Sequence, residues 1–430
     1  MSTRSSRSKL ALAVGVALAG VVALAGCSTS SLSAPTSATG ITAKSMTFVT
    51  DQGGPAGAKY VQLISEFEKA NPGYTVNMQI LPGDATYNSV ITSRIAGGKS
   101  PDLFEIINAP AGATPFTNAH LLSDLGDQSW VSQLLPVVAG NTKNFGGKTY
   151  GFITQIDASG FFYNKALFTK YKVSIPTMWD QLLADVKTFR SAGVTPLGIG
   201  GKDGWPVAFQ GYSMAAQVPE FAPGNTSGPD LASAKVKFSA SRGWAQVLDA
   251  FSTLVADKAY DPNASGITWP TSATDFSNGK VAMFYQGDFA IPAIRAGKPS
   301  FDVGMFTLPF AGNPPVTTVT YGSELAIPVK APNASLAKKF LDFLAEKGNY
   351  SKYLATAAAF SALNGVSGDL DPALAQIAPF VAKNAYEAAA PSGLNPATLA
   401  ALQSGMVSIL AGSGSTAATL KLMDQAQSAK

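Results

Sequence analysis

Hydrophobic positions alternate with polar ones in short runs, and between those runs they recur at helical spacing. "SMTFVT" (45–50) alternates through Met46 and Phe48, which predicts a strand. After the glycine-rich "DQGGPAG", Tyr60, Leu63, Ile64 and Phe67 fall on one helical face, and Asn71-Pro72-Gly73 stops the run. "YTVNMQIL" alternates again through Val76, Met78 and Ile80. A helix ending at Gly97-Gly98 and a strand at Leu103–Ile107 follow. Strand, helix, strand, helix, strand with short breaks predicts a parallel α/β sheet.

The middle of the chain carries its own set. Trp179, Leu182, Leu183, Val186 and Phe189 share one helical face. Thr177 and Asp180 resemble a capping box before that helix, and Gly193 follows it. Trp244, Val247, Leu248, Phe251, Leu254 and Val255 mark another helix. "KVAMFYQGDF" (280–289) reads as a strand entering a tight turn, and "SELAIPV" (323–329) as a further strand. "ASLAKKFLDFLAEKG" is a helix, and the Ala-rich remainder from about Tyr350 is helical, with loops at 365–372 and 391–396. The segment 219–230, "PEFAPGNTSGPD", reads as a long surface loop. Trp130, Trp179 and Trp244 are expected in the core.

The start of the chain differs. Residues 1–9 are polar and basic, and Leu10 to Ala25 is an uninterrupted apolar run of about 16 residues, short of the roughly 20 that span a bilayer. A secretory leader is favoured over a membrane anchor. "LAGC", Leu24 to Cys27, resembles the bacterial lipobox, in which a diacylglycerol is attached to the cysteine. That resemblance implies a leader over 1–26, a lipidated Cys27 and an extracytoplasmic protein held at the cell membrane. The Ser/Thr/Ala-rich stretch over 27–44 has no charge before Lys44 and reads as a tether.

Length and composition narrow the rest. A chain of 430 residues with 46% hydrophobic residues can build two domains. Three of its 31 basic residues (Arg4, Arg7, Lys9) lie in the leader. The remaining 28 against 27 acidic residues give no basic footprint for nucleic acid. One cysteine and one histidine, His120, exclude an internal disulfide and a Cys- or His-built metal cluster, and no cofactor is expected. His120 reads as structural, near a helix start. There is no G-x-S-x-G, P-loop or dinucleotide fingerprint. "GGKSPD" (97–102) lacks the earlier glycine that a P-loop requires.

A family resemblance enters at 146–206. The chain has Gly147-Lys148-Thr149-Tyr150-Gly151, then Phe162-Tyr163-Asn164-Lys165-Ala166-Leu167-Phe168, then Pro176-Thr177-Met178-Trp179-Asp180-Gln181-Leu182, then Gly193-Val194-Thr195-Pro196. Pro101-Asp102-Leu103-Phe104 and Phe276-Ser277-Asn278-Gly279-Lys280-Val281-Ala282-Met283, followed by Gly287, extend the series. In this order they resemble the family 1 extracellular solute-binding proteins, the carbohydrate receptors of ABC importers, of the maltose-binding-protein-like kind. The resemblance implies an α/β, two-lobed periplasmic-binding-protein-like fold with a ligand cleft between lobes. It implies hinge crossovers near Thr154–Ala158 and Thr307–Pro315. The first lobe would take 45–154 plus part of 315–430, and the second 158–307 plus part of the C-terminal helices. It also implies a carbohydrate ligand, an ABC permease as partner and a monomeric receptor that is not an enzyme. Phe152 stands where the family commonly has proline, and Gly287-Asp288-Phe289 where a tryptophan often follows the glycine.

Sugar recognition needs aromatic faces for the C–H side of the ring and polar groups for the hydroxyls. Open α/β sheets present both on loops beyond the carboxyl ends of strands. The candidates are Asp51 after the first strand, Asn108 after the third, Asp157 at the first crossover, and Asp288 and Phe289 after the strand at 281–285. Trp205, on the Gly-rich "GGKDGWP" loop, and Glu324, at the start of a returning strand, complete the set. The competing readings are local: helix or turn caps for Asp51, Asn108 and Asp157, packing for Phe289, a lobe-surface anchor for Trp205, and a lysine partner for Glu324. Trp269 reads as structural. Two other functions compete. Asp157 and Asp288 could be the carboxylates of a secreted glycoside hydrolase, or the receptor could take a polyamine, a metal chelate or a phosphate ester.

Overall fold

The computed structural model describes residues 43–82, 86–107, 111–142, 147–222, 224–311, 317–383, 386–388 and 393–428. Cys27, the leader, most of the tether and Asn108 lie outside the described residues, as do 312–315 of the second expected crossover. Among the described residues no helix is long and apolar enough to cross a membrane.

Among the described residues eleven strands form, in chain order: β1 Ser45–Thr50, β2 Thr75–Ile80, β3 Leu103–Ile106, β4 Gly151–Ile153, β5 Ile156–Asn164, β6 Thr195–Gly198, β7 Val281–Gly287, β8 Val303–Phe306, β9 Thr317–Tyr321, β10 Glu324–Ala326 and β11 Tyr386–Ala388. They make two sheets. The first runs β2-β1-β3-β10-β4, the second β11-β9-β5-β7-β6, with β8 pairing to the far half of β5. β1 is parallel to β2 and β3, as the strand–helix alternation predicts. β10 returns antiparallel between β3 and β4. The chain is therefore a two-lobed α/β protein.

Helices cover each sheet. Helix Gly54–Ala70 buries Tyr60, Leu63 and Phe67 and packs on Lys347–Ala357, beside Ala334–Ala345. Phe67 meets Phe340 and Phe343 edge to face at 5.1 and 5.4 Å. On the second sheet, helices Trp179–Ser191, Trp205–Ala215 and Arg242–Ala256 share a core with the C-terminal pair Pro396–Leu410 and Thr416–Ser428. The lobes touch where Gly54–Ala70 meets helix Ile291–Ala296.

Family motif positions acquire reasons here. Phe152, in place of the family's proline, is fully buried, edge to face with Trp130 at 4.9 Å and with Tyr350 at 5.8 Å. Its burial contributes ~1.5–3 kcal/mol. Gly151 sits against Glu324, where an added Cβ would fall 2.3 Å from Glu324 Cγ. Gly151→Ala is expected to destabilise the protein by about 1–3 kcal/mol through overpacking. A drop in the urea midpoint at unchanged m-value checks this.

Several expectations are corrected. β9 belongs to the second sheet, paired to β5 from Ile156↔Tyr321 to Ser159↔Thr318. The return to the first sheet is thus at Gly322–Ser323 and not within Thr307–Pro315. The helix after Thr177 is capped by Met178, without a side-chain cap. Gln181, one turn on, takes both the Thr177 N–H (2.8 Å) and its hydroxyl (3.2 Å), so Asp180 closes no box. The 219–230 loop holds a 3-10 turn at Pro219–Phe221 and a helix at Ser227–Ala232. Trp179 is only half-buried, edge to face on Phe310, whereas Trp130 and Trp244 are fully buried. His120 follows the helix Thr114–Asn118, at φ 53° and exposed.

Candidate functional site

The site forms where the chain passes between sheets. It leaves β4 at Ile153, crosses at Thr154–Gln155 and enters β5 at Ile156. The returning Gly322–Ser323 runs beside it: the Thr154 N–H donates to Ser323 O at 3.0 Å and the Gly322 N–H to Gln155 O at 2.9 Å. Two tyrosines of helix Lys347–Ala357 clamp this double strand. Tyr350 donates to Thr154 O (2.8 Å) and accepts from the Ala362 N–H (2.9 Å), and Tyr353 donates to Gln155 Oε1 (3.4 Å). Both tyrosines are fully buried, so solvent does not compete for these bonds.

Carboxylates gather around the crossover. Asp157, second residue of β5, accepts from Gln155 Nε2 at 2.5 Å and is 4% exposed. Asp288, directly after β7, is fully buried and accepts the Ala158 N–H on Oδ2 at 3.1 Å. The pairing Ser159↔Gly287 brings them together, and the two carboxyls stand within hydrogen-bonding reach of each other. Burial raises both pKa values, and the neighbouring Asp157 charge pushes Asp288 further, well above the usual carboxylate range.

On the first lobe, Glu105 of β3 is fully buried. It accepts from Tyr60 OH at 2.8 Å and from the Thr50 hydroxyl. Between the two groups stands Lys59, also buried, with its ammonium 5.3 Å from the Tyr60 ring centroid and 5.9 Å from that of Tyr353. Burial works against this ammonium, but Tyr353, Glu105 and Asp157 together hold its pKa above the ordinary lysine value. Asp51, half-buried and accepting from Gln52 Nε2 at 2.7 Å, is raised by burial and repels Glu105.

The second lobe supplies rings. Trp205 opens helix Trp205–Ala215 behind Gly204, whose φ of 71° favours glycine. Asp203 Oδ2 accepts the backbone N–H of Trp269 at 2.6 Å, and the two tryptophan rings lie side by side with centroids 6.1 Å apart. Phe289 completes the platform at 6.2 Å from Trp205 and 5.9 Å from Phe209, whose ring meets Tyr285 at 5.7 Å. Trp205 is 38% exposed, so its face is open to a ligand.

Several buried polar atoms of the second lobe lack a hydrogen-bond partner of good geometry among the described residues. They include Ser159 Oγ, Ser213 Oγ, Thr318 Oγ1, Asp288 Oδ1, Trp269 Nε1 and both amide atoms of Gln286. The Tyr285 hydroxyl, pushed up to about 12 by burial, lies near Ser213, Thr318 and Ser159. Unfilled hydrogen-bonding capacity of this density invites water or a polar ligand. Open rings beside clustered hydroxyl, amide and carboxyl groups can bind a polyhydroxylated ring on its apolar face and its hydroxyls at once.

The structure brings Asp157, Asp288, Phe289 and Trp205 together, with Asp51 reaching them through Glu105 and Lys59. Glu324 stands apart. It pairs in register with Ile106 and Ile153, burial alone raises its carboxyl to about 7, and no ion pair to it occurs among the described residues. Sequence reasoning passed over Lys59, Glu105, Gln155 and Tyr285, and read Trp269 as structural. Only Lys59, a lysine on the apolar side of its helix, left a readable signal.

The family profile described as bacterial extracellular solute-binding protein matches residues 51–350. The multiple sugar-binding protein of Streptococcus mutans is 24% identical over 314 residues, covering 72% of this chain and 73% of that one. The melibiose/raffinose/stachyose-binding protein of Bacillus subtilis is 23% identical, covering 72% of each. Among solved structures, one from work on xylan utilization by Caldanaerobius polysaccharolyticus superimposes with a TM-score of 0.76 at 25% identity, over 89% of this chain and 99% of that one. A solute-binding protein in complex with raffinose gives 0.74 at 19% identity, over 89% and 98%.

Proposed function

This chain belongs to the bacterial extracellular solute-binding protein family, and from that premise we propose that it captures a mono- or oligosaccharide outside the cytoplasm and delivers it to the permease of an ABC importer. The observation that carries the ligand class is the Trp205–Trp269–Phe289 platform set beside Asp157, Asp288 and unpartnered hydroxyl and amide groups. Relatives named for multiple sugars and for melibiose, raffinose and stachyose support it. The first lobe takes 45–153, the strand at 324–326 and the helices to about 357. The second takes 156–321 and the C-terminal helices. Closure of the two on ligand adds contacts that the open form lacks.

The carboxylate geometry speaks against hydrolysis. Glycosidase pairs stand about 5–5.5 Å apart, or 6.5–9.5 Å with a water between. Asp157 and Asp288 share a hydrogen-bonding contact and leave no room for a sugar or a water between them. We therefore read the protein as a receptor and not as an enzyme.

A thermal-shift titration with raffinose, stachyose, xylo-oligosaccharides and chito-oligosaccharides tests the proposal. A sugar at 100 times its Kd adds about 2.7 kcal/mol to stability. Stabilisation by spermidine or a sugar phosphate but by none of the sugars overturns the ligand class, and steady product formation at catalytic protein levels overturns the receptor reading.

The leader and "LAGC" further support a receptor anchored through lipid on Cys27, since two or more buried acyl chains hold a protein at a bilayer; we take it to act as a monomer. Cys27→Ser is expected to release the protein from the membrane fraction or leave it untrimmed, as seen by fractionation and mass spectrometry. A variant that stays lipidated and trimmed overturns the anchor.

A further inference from the structure

We propose that Asp157 and Asp288 form a carboxylic acid–carboxylate pair that holds one shared proton at the root of the crossover, a proton-binding site whose emptying loosens the second lobe's sheet there. The inference does not depend on which ligand the protein takes. Asp157, in β5, and Asp288, directly after its antiparallel neighbour β7, are 4% and 0% exposed; the Ala158 N–H reaches Asp288 Oδ2 at 3.1 Å, and the two carboxyls are in hydrogen-bonding reach. Ionised carboxylates only accept hydrogen bonds. The donors supplied by the protein are already placed: Gln155 Nε2 on Asp157 Oδ1 and the Ala158 N–H on Asp288 Oδ2. Asp288 Oδ1 has no donor among the described residues. One proton resolves the meeting of two acceptors, turning Asp288 into a donor toward Asp157.

The surrounding charge does not remove the need for it. Lys59, from helix Gly54–Ala70, is the cation facing Asp157, and Glu105 of β3 draws on the same ammonium. Asp51, after β1, adds negative charge to Glu105. From helix Lys347–Ala357 come the phenols of Tyr350 and Tyr353, whose own pKa values burial raises, so they remain neutral. Gln155 and Gln286 are uncharged. Four buried or half-buried carboxyls thus share one ammonium. Burial, then the Asp157 charge, holds Asp288 well above its ordinary range, which is the direction a shared proton requires.

The sign follows. The folded chain binds this proton more tightly than the unfolded chain, whose aspartates titrate near 3.9. The stabilisation it gives is complete below that value and is lost as pH rises through the pair's folded pKa. Proton loss leaves two contacting anions between β5 and β7.

The full chain is measured by infrared spectroscopy as a pH series from about 5 to 8, in difference against each variant, so that the band of Glu324, with its pKa of about 7, is common to all and cancels. Asp288→Asn, which keeps an oxygen for the Ala158 N–H, is expected to remove a carboxylic-acid C=O band. Asp157→Asn is expected to shift that band, because the proton's acceptor changes from carboxylate to amide. In parallel, the melting temperature of the unsubstituted chain is expected to fall between about pH 5 and 8, with a shallower fall in Asp288→Asn. An unchanged spectrum in Asp288→Asn, or identical pH slopes, overturns the proposal. Should that variant not fold, an unshifted band in Asp157→Asn overturns it equally.

Discussion

Trp205→Ala is expected to raise the Kd for the best-stabilising sugar by roughly 30- to 150-fold, about 2–3 kcal/mol, while leaving the melting temperature of the free protein nearly unchanged. The two halves of this expectation have one cause. Trp205 lies at the exposed start of its helix, 38% open, and meets the rings of Phe209, Trp269 and Phe289 as tilted pairs at 6.1–6.4 Å. Truncating it removes little core but takes away the largest open aromatic face at the site. Phe289→Ala is the contrasting case. Phe289 is half-buried and packs against both main cores, so its loss costs stability as well as affinity. Isothermal titration and melting curves on the two variants separate the effects. Trp205→Ala binding with wild-type affinity would remove the platform from the site.

Lys59→Met is expected to destabilise the protein by about 3–5 kcal/mol at neutral pH, the usual result of removing one member of a buried charge cluster. The methionine keeps most of the stem's volume, so the loss reports charge and not a cavity. It leaves Glu105 and Asp157 buried without their cation. Both carboxyls already have raised pKa values, by burial first. Their protonation on acidification relieves the deficit, so the variant's loss of stability should shrink as pH falls. Adding Glu105→Gln to Lys59→Met should recover part of it. Chemical denaturation at two pH values checks both points, and a pH-independent loss would mean that Lys59 acts by packing alone.

The legible part of this protein was its periodic part. β1, β2 and helix Gly54–Ala70 were readable because one face of each is buried and the other wet, which writes period 2 or 3.6 into the sequence. β5 carried no such signal, since all nine of its residues are buried. Its place came from the family motif around Phe162-Tyr163-Asn164. Among candidate site residues, those at strand ends were readable because a strand's carboxyl end is a position in the chain. Asp288 was found that way and Asp157 from the crossover that the family resemblance implies, yet their contact was not, because it depends on the register of β5 against β7. Tyr285 and Gln286 lie inside a strand that reads as core, and Glu105 likewise sits between Phe104 and Ile106. Glu324 shows the limit of the rule: it begins a strand but pairs with Ile106 and Ile153. The second crossover was misplaced because β9 and β10 are separated by only two residues, too few to reveal a change of sheet.

That short step between β9 and β10 governs the order in which the protein can be assembled. β10 lies between β3 and β4, so β4 has no neighbour in its sheet until the chain has reached Glu324. The tyrosines that clamp the crossover come later still, at 350 and 353. Closing loops of this length is slow, since their entropy is lost before any distant contact repays it. A growing chain therefore exposes β1, β2 and β3 as an unfinished sheet through most of its synthesis. Completion of the first sheet waits for the last quarter of the sequence, so its edge stays open to other contacts until then.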